Sequence, residues 1–323
     1  MTGYLDTAVE RVPLGDHAGK SGAALERVLL ADGRRLVVKR LSPATDLLMA
    51  LSGDSTGREY DVWASGLLDR LPAGVGHAVL DGWREADGAV LVMRDLGDTV
   101  LTWDDRLDRT RCRQVLTAVA AMHRAFLDQA PDDLVPLTVL LGTFAPARIA
   151  PHAGGPNPLG ALVLRGWEYF ADQVPADVAD PVFALLTDAT PLATALAGRP
   201  CTLVHGDLAT VNVALDGDQV TLLDWSIPAA APGAVDLARL LAGCASVIDA
   251  TREEVIAEYR ALAGPADDEA ALRLALLGGL VWLGWNKALD VAEHPDPLIR
   301  ERERADLGWW VGQARRTLDA GLL

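Results

Sequence analysis

The residue types best suited to chemistry stand close together in residues 203–213, Leu-Val-His-Gly-Asp-Leu-Ala-Thr-Val-Asn-Val. The order H-x-D-x-x-x-x-N places His205, Asp207 and Asn212, and Asp224 follows twelve residues after Asn212 in Leu-Leu-Asp-Trp225. Carboxylates and an amide are hard oxygen donors, the kind that hold Mg²⁺ together with nucleotide phosphates. Asn212 and Asp224 suit that task. Asp207 would then accept or orient the proton of an attacking hydroxyl. For this the groups must meet. Residues 211–215 and 220–223 read as strands around the turn Asp216-Gly217, so the chain folds back and brings Asn212 towards Asp224. A short apolar strand at 202–205 leads into the loop.

The surrounding elements separate into two regions. The first hundred residues are β-rich. Residues 25–30 and 36–38 flank Asp32-Gly33, a hairpin signal, and a second hairpin spans 78–93 with its turn near Asp87-Gly88. Between them one helix is expected, with Tyr60, Trp63, Ala64, Leu67, Leu68 and Leu71 on one apolar face. Thr56 and Glu59 have the spacing of a capping box at its start. Beyond Leu96 helices are expected at 107–128, 160–172, 178–197, 234–245, 251–262, 268–290 and 297–320, with loop and short helical pieces over 130–160. The charge run 299–306 reads as a solvated helix face. The class is α+β, with a β-rich N-terminal lobe (1–96) and a mainly helical C-terminal lobe (97–323). Strand–helix alternation of the doubly wound kind is absent.

Composition narrows the function. Half of the 323 residues are apolar and 23% are charged, enough for a substantial core and against wholesale disorder. Lys and Arg number 29 against 45 Asp and Glu, a net charge of −16. Phosphate backbones need a basic footprint, so no nucleic-acid partner is expected. The acidic balance leans towards a cationic small molecule, and is also an ordinary route to solubility. Cys112, Cys201 and Cys244 are far apart and odd in number, which argues against a disulfide framework and for a reducing compartment. The N-terminal residues lack the apolar run of a signal peptide. The longest apolar stretch, 274–285, is shorter than the ~20 residues that span a bilayer. A cytoplasmic protein without a membrane partner, monomeric or homodimeric, is expected.

The H-G-D-L-x-x-x-N loop and the D-W that follows resemble the aminoglycoside phosphotransferase and choline kinase-like family, whose fold is similar to that of protein kinases. The resemblance implies a bilobal protein kinase-like fold and an enzyme that transfers the γ-phosphoryl group of ATP, or of GTP, to an acceptor hydroxyl with Mg²⁺. By that resemblance Asp207 is the catalytic base, His205 a structural member of the catalytic loop, and Asn212 and Asp224 the metal ligands. Asp236, in Ala-Val-Asp-Leu-Ala238, looks like the family's brace on the loop. Lys39, ending Arg-Leu-Val-Val-Lys39, would hold the α/β-phosphates. Glu59 is its expected partner, a role that competes with the capping box for one carboxylate. Met93, Asp95 and Leu96 fall where the family's inter-lobe hinge takes the adenine edge. Trp282, Trp285 and Asn286 lie on a helix where the family builds its acceptor site. The acceptor implied is an aminoglycoside or other antibiotic, or a metabolite such as choline, a sugar or an amino alcohol. Ala209-Thr210-Val211 departs from the family's more usual His-Pro-Gly, which leaves the subfamily open.

Other readings have weaker support. Gly15-Asp-His-Ala-Gly-Lys-Ser21 resembles a phosphate-binding P-loop, but has three residues between its glycines where four are required. It fits better as the loop between the first two strands, where Lys20 or Ser21 could touch phosphate. His123 reads as a satisfied inter-helix histidine. A protein-kinase-like enzyme would need an A-P-E segment and a long activation loop, and only eleven residues separate Asp224 from Asp236. A non-catalytic nucleotide-binding module would be expected to have a degenerate site. A metal hydrolase built on His205 and Asp207 lacks further histidine ligands at suitable spacing.

Overall fold

The computed structural model describes residues 3, 5–15 and 22–323. Its N-terminal region is a five-stranded antiparallel sheet of β1 (Ala8–Pro13), β2 (Ala24–Leu30), β3 (Arg35–Leu41), β5 (Val79–Glu85) and β6 (Gly88–Arg94), in the order β1-β2-β3-β6-β5. β1, whose residues alternate only weakly in sequence, forms an exposed edge strand. The stretch from Gly15 to Ser21 lies outside the described residues after its first glycine.

Strand periodicity gives the sheet two faces. Leu36 and Val38 pack with Val28, Val90 and Val92 on one face. Lys39 points to the other, where Leu41, Leu91 and Met49 gather under Tyr60 and Trp63. A register slip of one residue would exchange these faces. Lys39 pairs with Leu25 on one side and Leu91 on the other, which holds it there.

The helix expected from the Thr56–Glu59 cap to Leu71 is shortened to α2 (Arg58–Ala64) and a single 3₁₀ turn, Leu68–Arg70, after Gly66, and a helix that was not expected, α1 (Leu47–Ser52), precedes it. The Thr56–Glu59 capping box does not form. Asp54 accepts hydrogen bonds from the backbone N–H groups of Thr56, Gly57 and Arg58, and so satisfies the start of α2 from outside the helix. That leaves the Glu59 side chain free for another partner.

The remaining chain is mainly helical. Its helices are α3 (Arg109–Ala125), α4 (Leu137–Leu141), α5 (Pro146–Ile149), α6 (Leu159–Gln173), α7 (Ala176–Thr187), α8 (Thr190–Ala197), α9 (Ala234–Cys244), α10 (Arg252–Ala263), α11 (Glu269–Glu293) and α12 (Pro297–Asp319). The expected helix over 178–197 is two helices, α7 and α8. Asp188 breaks them apart in an extended conformation, and its side chain accepts from the Thr190 N–H. α11 is the central helix, buried along nearly its whole length against α6, α9 and α12. Two small β units serve the loop between α8 and α9. β7 (Thr202–Val204) pairs with β10 (Ala229–Ala231), and β8 (Val213–Asp216) and β9 (Gln219–Leu222) form a hairpin joined by β4 (Val75–Gly76). No helix among the described residues is long and apolar enough to cross a membrane.

The charge run on α12 is the solvated face expected of it only in part: Glu301, Arg302 and Arg304 are exposed, but two acids are not. Glu303 and Asp306, three residues apart on one side of the helix, are 5% and 3% exposed. Lys287 on α11, itself buried, pairs with both, and Arg252 reaches Asp306 from α10. The run alternates charge without showing which side of the helix meets α11, and that side is decided by packing.

Candidate active site

The loop after β7 is held by buried hydrogen bonds at several points. The fully buried Asp236 carboxylate, on the first turn of α9, accepts from the backbone N–H of His205 at 2.8 Å and of Gly206 at 2.9 Å. His123 of α3, also fully buried, meets the same carboxylate at 3.2 Å through Nε2, and its Nδ1 lies 2.8 Å from the Tyr259 hydroxyl. Burial favours the neutral acid at Asp236, yet the hydrogen bonds from His123 and the loop outweigh it and lower its pKa below the ordinary carboxylate value. Gly206 takes φ +85°, and a Cβ there would stand 2.0 Å from the Ile227 carbonyl oxygen. Only glycine fits that turn.

His205 is fully buried. The Asp207 N–H donates to its Nδ1 at 3.3 Å, which leaves the Nε2 hydrogen to donate to the Leu223 carbonyl at 2.8 Å. Its ring packs 4.7 Å from that of Trp225. The histidine therefore clamps the loop to the segment carrying Asp224, and belongs with the structural residues and not with those that would touch substrate. Asn212 donates through Nδ2 to the Asp207 carbonyl at 2.8 Å and to Asp207 Oδ2 at 3.2 Å. Its Oδ1 is thus the atom turned away from the loop, an oxygen suited to a hard cation. The Leu223 N–H donates to the Asn212 carbonyl at 2.9 Å, so the hairpin closes as expected beside Asp224. Asp224 takes φ +61°, a left-handed turn that lifts its carboxylate out of the strand.

Lys39 reaches across from the sheet. Its Nζ lies 2.7 Å from Glu59 Oε2 and 2.9 Å from Asp224 Oδ1. Burial alone would drive its pKa down, but the Asp224 and Glu59 carboxylates outweigh burial and raise it. The same ammonium holds the Asp224 carboxyl below its usual range against the effect of burial. Glu59, the deeper carboxylate, is raised by burial despite Lys39.

The sequence-selected residues sort onto two adjoining cavities. One, of about 740 Å³, lies under the sheet and is lined by Lys39, Glu59, Met93, Asp95, Leu96, Asn212 and Asp224 among others. The Asp95 carboxylate is spent on Arg27 and on the Gly97 N–H, so that side chain fixes the segment after β6 and offers a ligand only its backbone. The other, of about 430 Å³, is lined by Asp207, Asn212, Asp224, Trp282, Trp285 and Asn286 among others. Asn212 and Asp224 stand on the wall common to both. Sequence reasoning missed Arg239, whose guanidinium lies 2.7–2.8 Å from Asp207 Oδ1. Its signal is positional: it follows Asp236 by three residues, on the same face of α9.

A sequence model of the phosphotransferase enzyme family (APH) matches residues 19–274. No curated protein matches at a significant level. Among solved structures, the chain is similar to an aminoglycoside phosphotransferase from Streptomyces rimosus in complex with ADP and streptomycin, at 22% identity and TM-score 0.51, covering 82% of this chain and 94% of that one. It is similar also to a choline kinase from Streptococcus pneumoniae, at 12% identity and TM-score 0.54, covering 95% of both chains. An ethanolamine kinase from Plasmodium vivax gives 11% identity and TM-score 0.55, covering 96% of this chain and 84% of that one. These likenesses establish a protein kinase-like fold, and with the family match over most of its length the chain belongs to the phosphotransferase enzyme family.

Proposed function

We propose that the protein is an ATP-dependent small-molecule kinase. The observation that carries this reading is the Lys39–Glu59–Asp224 ion group standing across from Asp207 and Asn212, at the wall shared by the two cavities. The nucleotide occupies the cavity under the sheet, its base against Met93 and the backbone of residues 95–96, its phosphates against Lys39. Asn212 Oδ1 and the Asp224 carboxylate are the donors for Mg²⁺, which needs few protein ligands when phosphates supply others. A cation held by Asn212 and Asp224 would supply positive charge to the phosphates.

The acceptor hydroxyl then lies against Asp207. Its oxygen forms a bond to the γ-phosphorus as the bond to the β,γ-bridging oxygen breaks, ADP leaves, and the hydroxyl proton passes to the Asp207 carboxylate. His205 and Asp236 hold the loop in place and take no part in proton transfer.

The second cavity favours a hydroxylated, cationic acceptor. Its walls include Trp103, Phe144, Trp282 and Trp285, faces on which sugar rings and ammonium groups pack. Asp104, Asp207, Asp224, Asp290 and Glu303 there outnumber Arg239, Lys287 and Arg302. An aminoglycoside fits this chemistry, and so does a smaller amino alcohol. The three free cysteines accord with a cytoplasmic setting.

The test is release of ADP from Mg·ATP against a panel of aminoglycosides, other hydroxylated antibiotics, choline, ethanolamine and sugars, with Asp207→Ala as control. Acceptor-dependent turnover that vanishes in the variant is the expected result. Tight ATP binding with no acceptor stimulation anywhere in the panel would remove the kinase reading in favour of a nucleotide-binding module.

A further inference from the structure

Arg239 has no role in the description above, yet it is the cation nearest the proposed base. It sits on the third residue after Asp236, so one face of α9 grips the loop twice: Asp236 takes the backbone at His205 and Gly206, and Arg239 takes the side chain at Asp207. Nε donates to Asp207 Oδ1 at 2.8 Å and Nη2 lies 2.7 Å from the same oxygen. The residue is 8% exposed, and its guanidinium lies over the Trp282 ring at 5.0 Å. It also fills the space over Gly243, where a Cβ would stand 2.3 Å from Nη1. A planar guanidinium that is buried, stacked on an indole and packed over a glycine has little freedom to turn.

The two oxygens of Asp207 are therefore unlike. Oδ1 is committed to Arg239, while Oδ2 has the longer, 3.2 Å contact from Asn212. We propose that Arg239 is a positioning residue for phosphoryl transfer: by holding Oδ1 it fixes the rotation of the Asp207 carboxylate and presents Oδ2 to the acceptor hydroxyl. This rests on Asp207 being the proton acceptor. A lysine could supply the charge but not the two-pronged, stacked grip.

The experiment measures hydrolysis of Mg·ATP, with water in place of the acceptor, and transfer to any panel acceptor the wild type uses, for Arg239→Ala, Arg239→Lys and Asp207→Asn. Misplacing a reacting group costs on the order of 10- to 100-fold in rate. Arg239→Ala is expected to lose that much in kcat with KM for ATP within about twofold. Guanidinium chloride far below denaturing concentration should restore Arg239→Ala and leave Asp207→Asn inactive. Arg239→Lys, which keeps the charge and most of the volume, should remain folded and regain only part of the rate. Wild-type kcat in Arg239→Ala, or a loss in folded protein that guanidinium does not rescue, overturns the role of Arg239 while Asp207→Asn is inactive. Undiminished turnover in Asp207→Asn removes the underlying assignment of the base, a distinct outcome, and the inference with it.

Discussion

Replacing Asp236 by Asn keeps the shape of the side chain and removes the charge that braces the loop after β7. The carboxylate accepts two backbone N–H groups, from His205 and Gly206, in a fully buried setting. An amide has a single oxygen, so one of those N–H groups would face an NH₂ donor. A buried donor left unpaired costs about 1–3 kcal/mol, and a hydrogen bond to a charged acceptor is worth about 1.5–3 kcal/mol. One bond lost and the other weakened gives a destabilisation of about 2–4 kcal/mol at pH 7. The pH dependence has a definite sign. The Asp236 pKa is lowered in the folded state, so its contribution is complete above the ordinary carboxylate pKa and is lost as pH falls through the depressed folded value. Asparagine does not titrate there. The gap between the two proteins should therefore narrow at acid pH, beginning below about pH 4. Urea unfolding followed by both far-UV circular dichroism and tryptophan fluorescence, from pH 7 down to about pH 3, measures this. A gap under about 0.5 kcal/mol at pH 7, or one that stays constant into acid, would refute the carboxylate's role as the charged brace.

Lys39→Met leaves Asp224 and Glu59 without the cation they share; kcat/KM for the nucleotide should fall about 10²- to 10³-fold in steady-state kinetics. Gly206→Ala forces a positive φ and a Cβ into the Ile227 carbonyl, and should destabilise the fold by about 2 kcal/mol or more, read as a lower melting temperature. Lys287→Met strips the buried pair with Glu303 and Asp306 of its shared cation and should cost about 3 kcal/mol; combining it with Glu303→Gln should cost less than the sum of the two, because Glu303 then needs no partner.

Much of the geometry of the loop at 205–212 was legible because its contacts are local. His205, Asp207 and Asn212 lie on one short loop, and a two-residue turn returns the chain to Asp224, so spacing alone brings them together. Lys39 was legible as well, a single lysine ending an apolar run, while its face was fixed by the pairing of β3 with β2 and β6. The capping of α2 was not. Thr56 and Glu59 have the right spacing, but Asp54 takes the Thr56 N–H that the Glu59 carboxylate would have capped, and Glu59 pairs with Lys39 instead. The break between α7 and α8 has a local signal, Thr-Asp-Ala-Thr-Pro191, which apolar periodicity on either side of it outweighed in the reading of one helix. The buried face of α12 was hidden, since a helix of alternating charge presents acids and bases on every side.

What the sequence by itself determined is the set of groups that chain connectivity forces into proximity: the loop acids and amide, the strand lysine, and the helical or extended habit of most segments. Tertiary structure alone decided which competing partner each buried charge took. Glu59 went to Lys39 and not to its own helix cap, Glu303 and Asp306 turned inward to Lys287, and Arg239 closed on Asp207 from a helix thirty-two residues further along the chain. The reason is physical. Burial makes an unpaired charge costly, so each is paired by whichever opposite group the packing brings within about 3 Å, and that group is chosen by how helices and sheet meet, a relation that no local pattern of residues records.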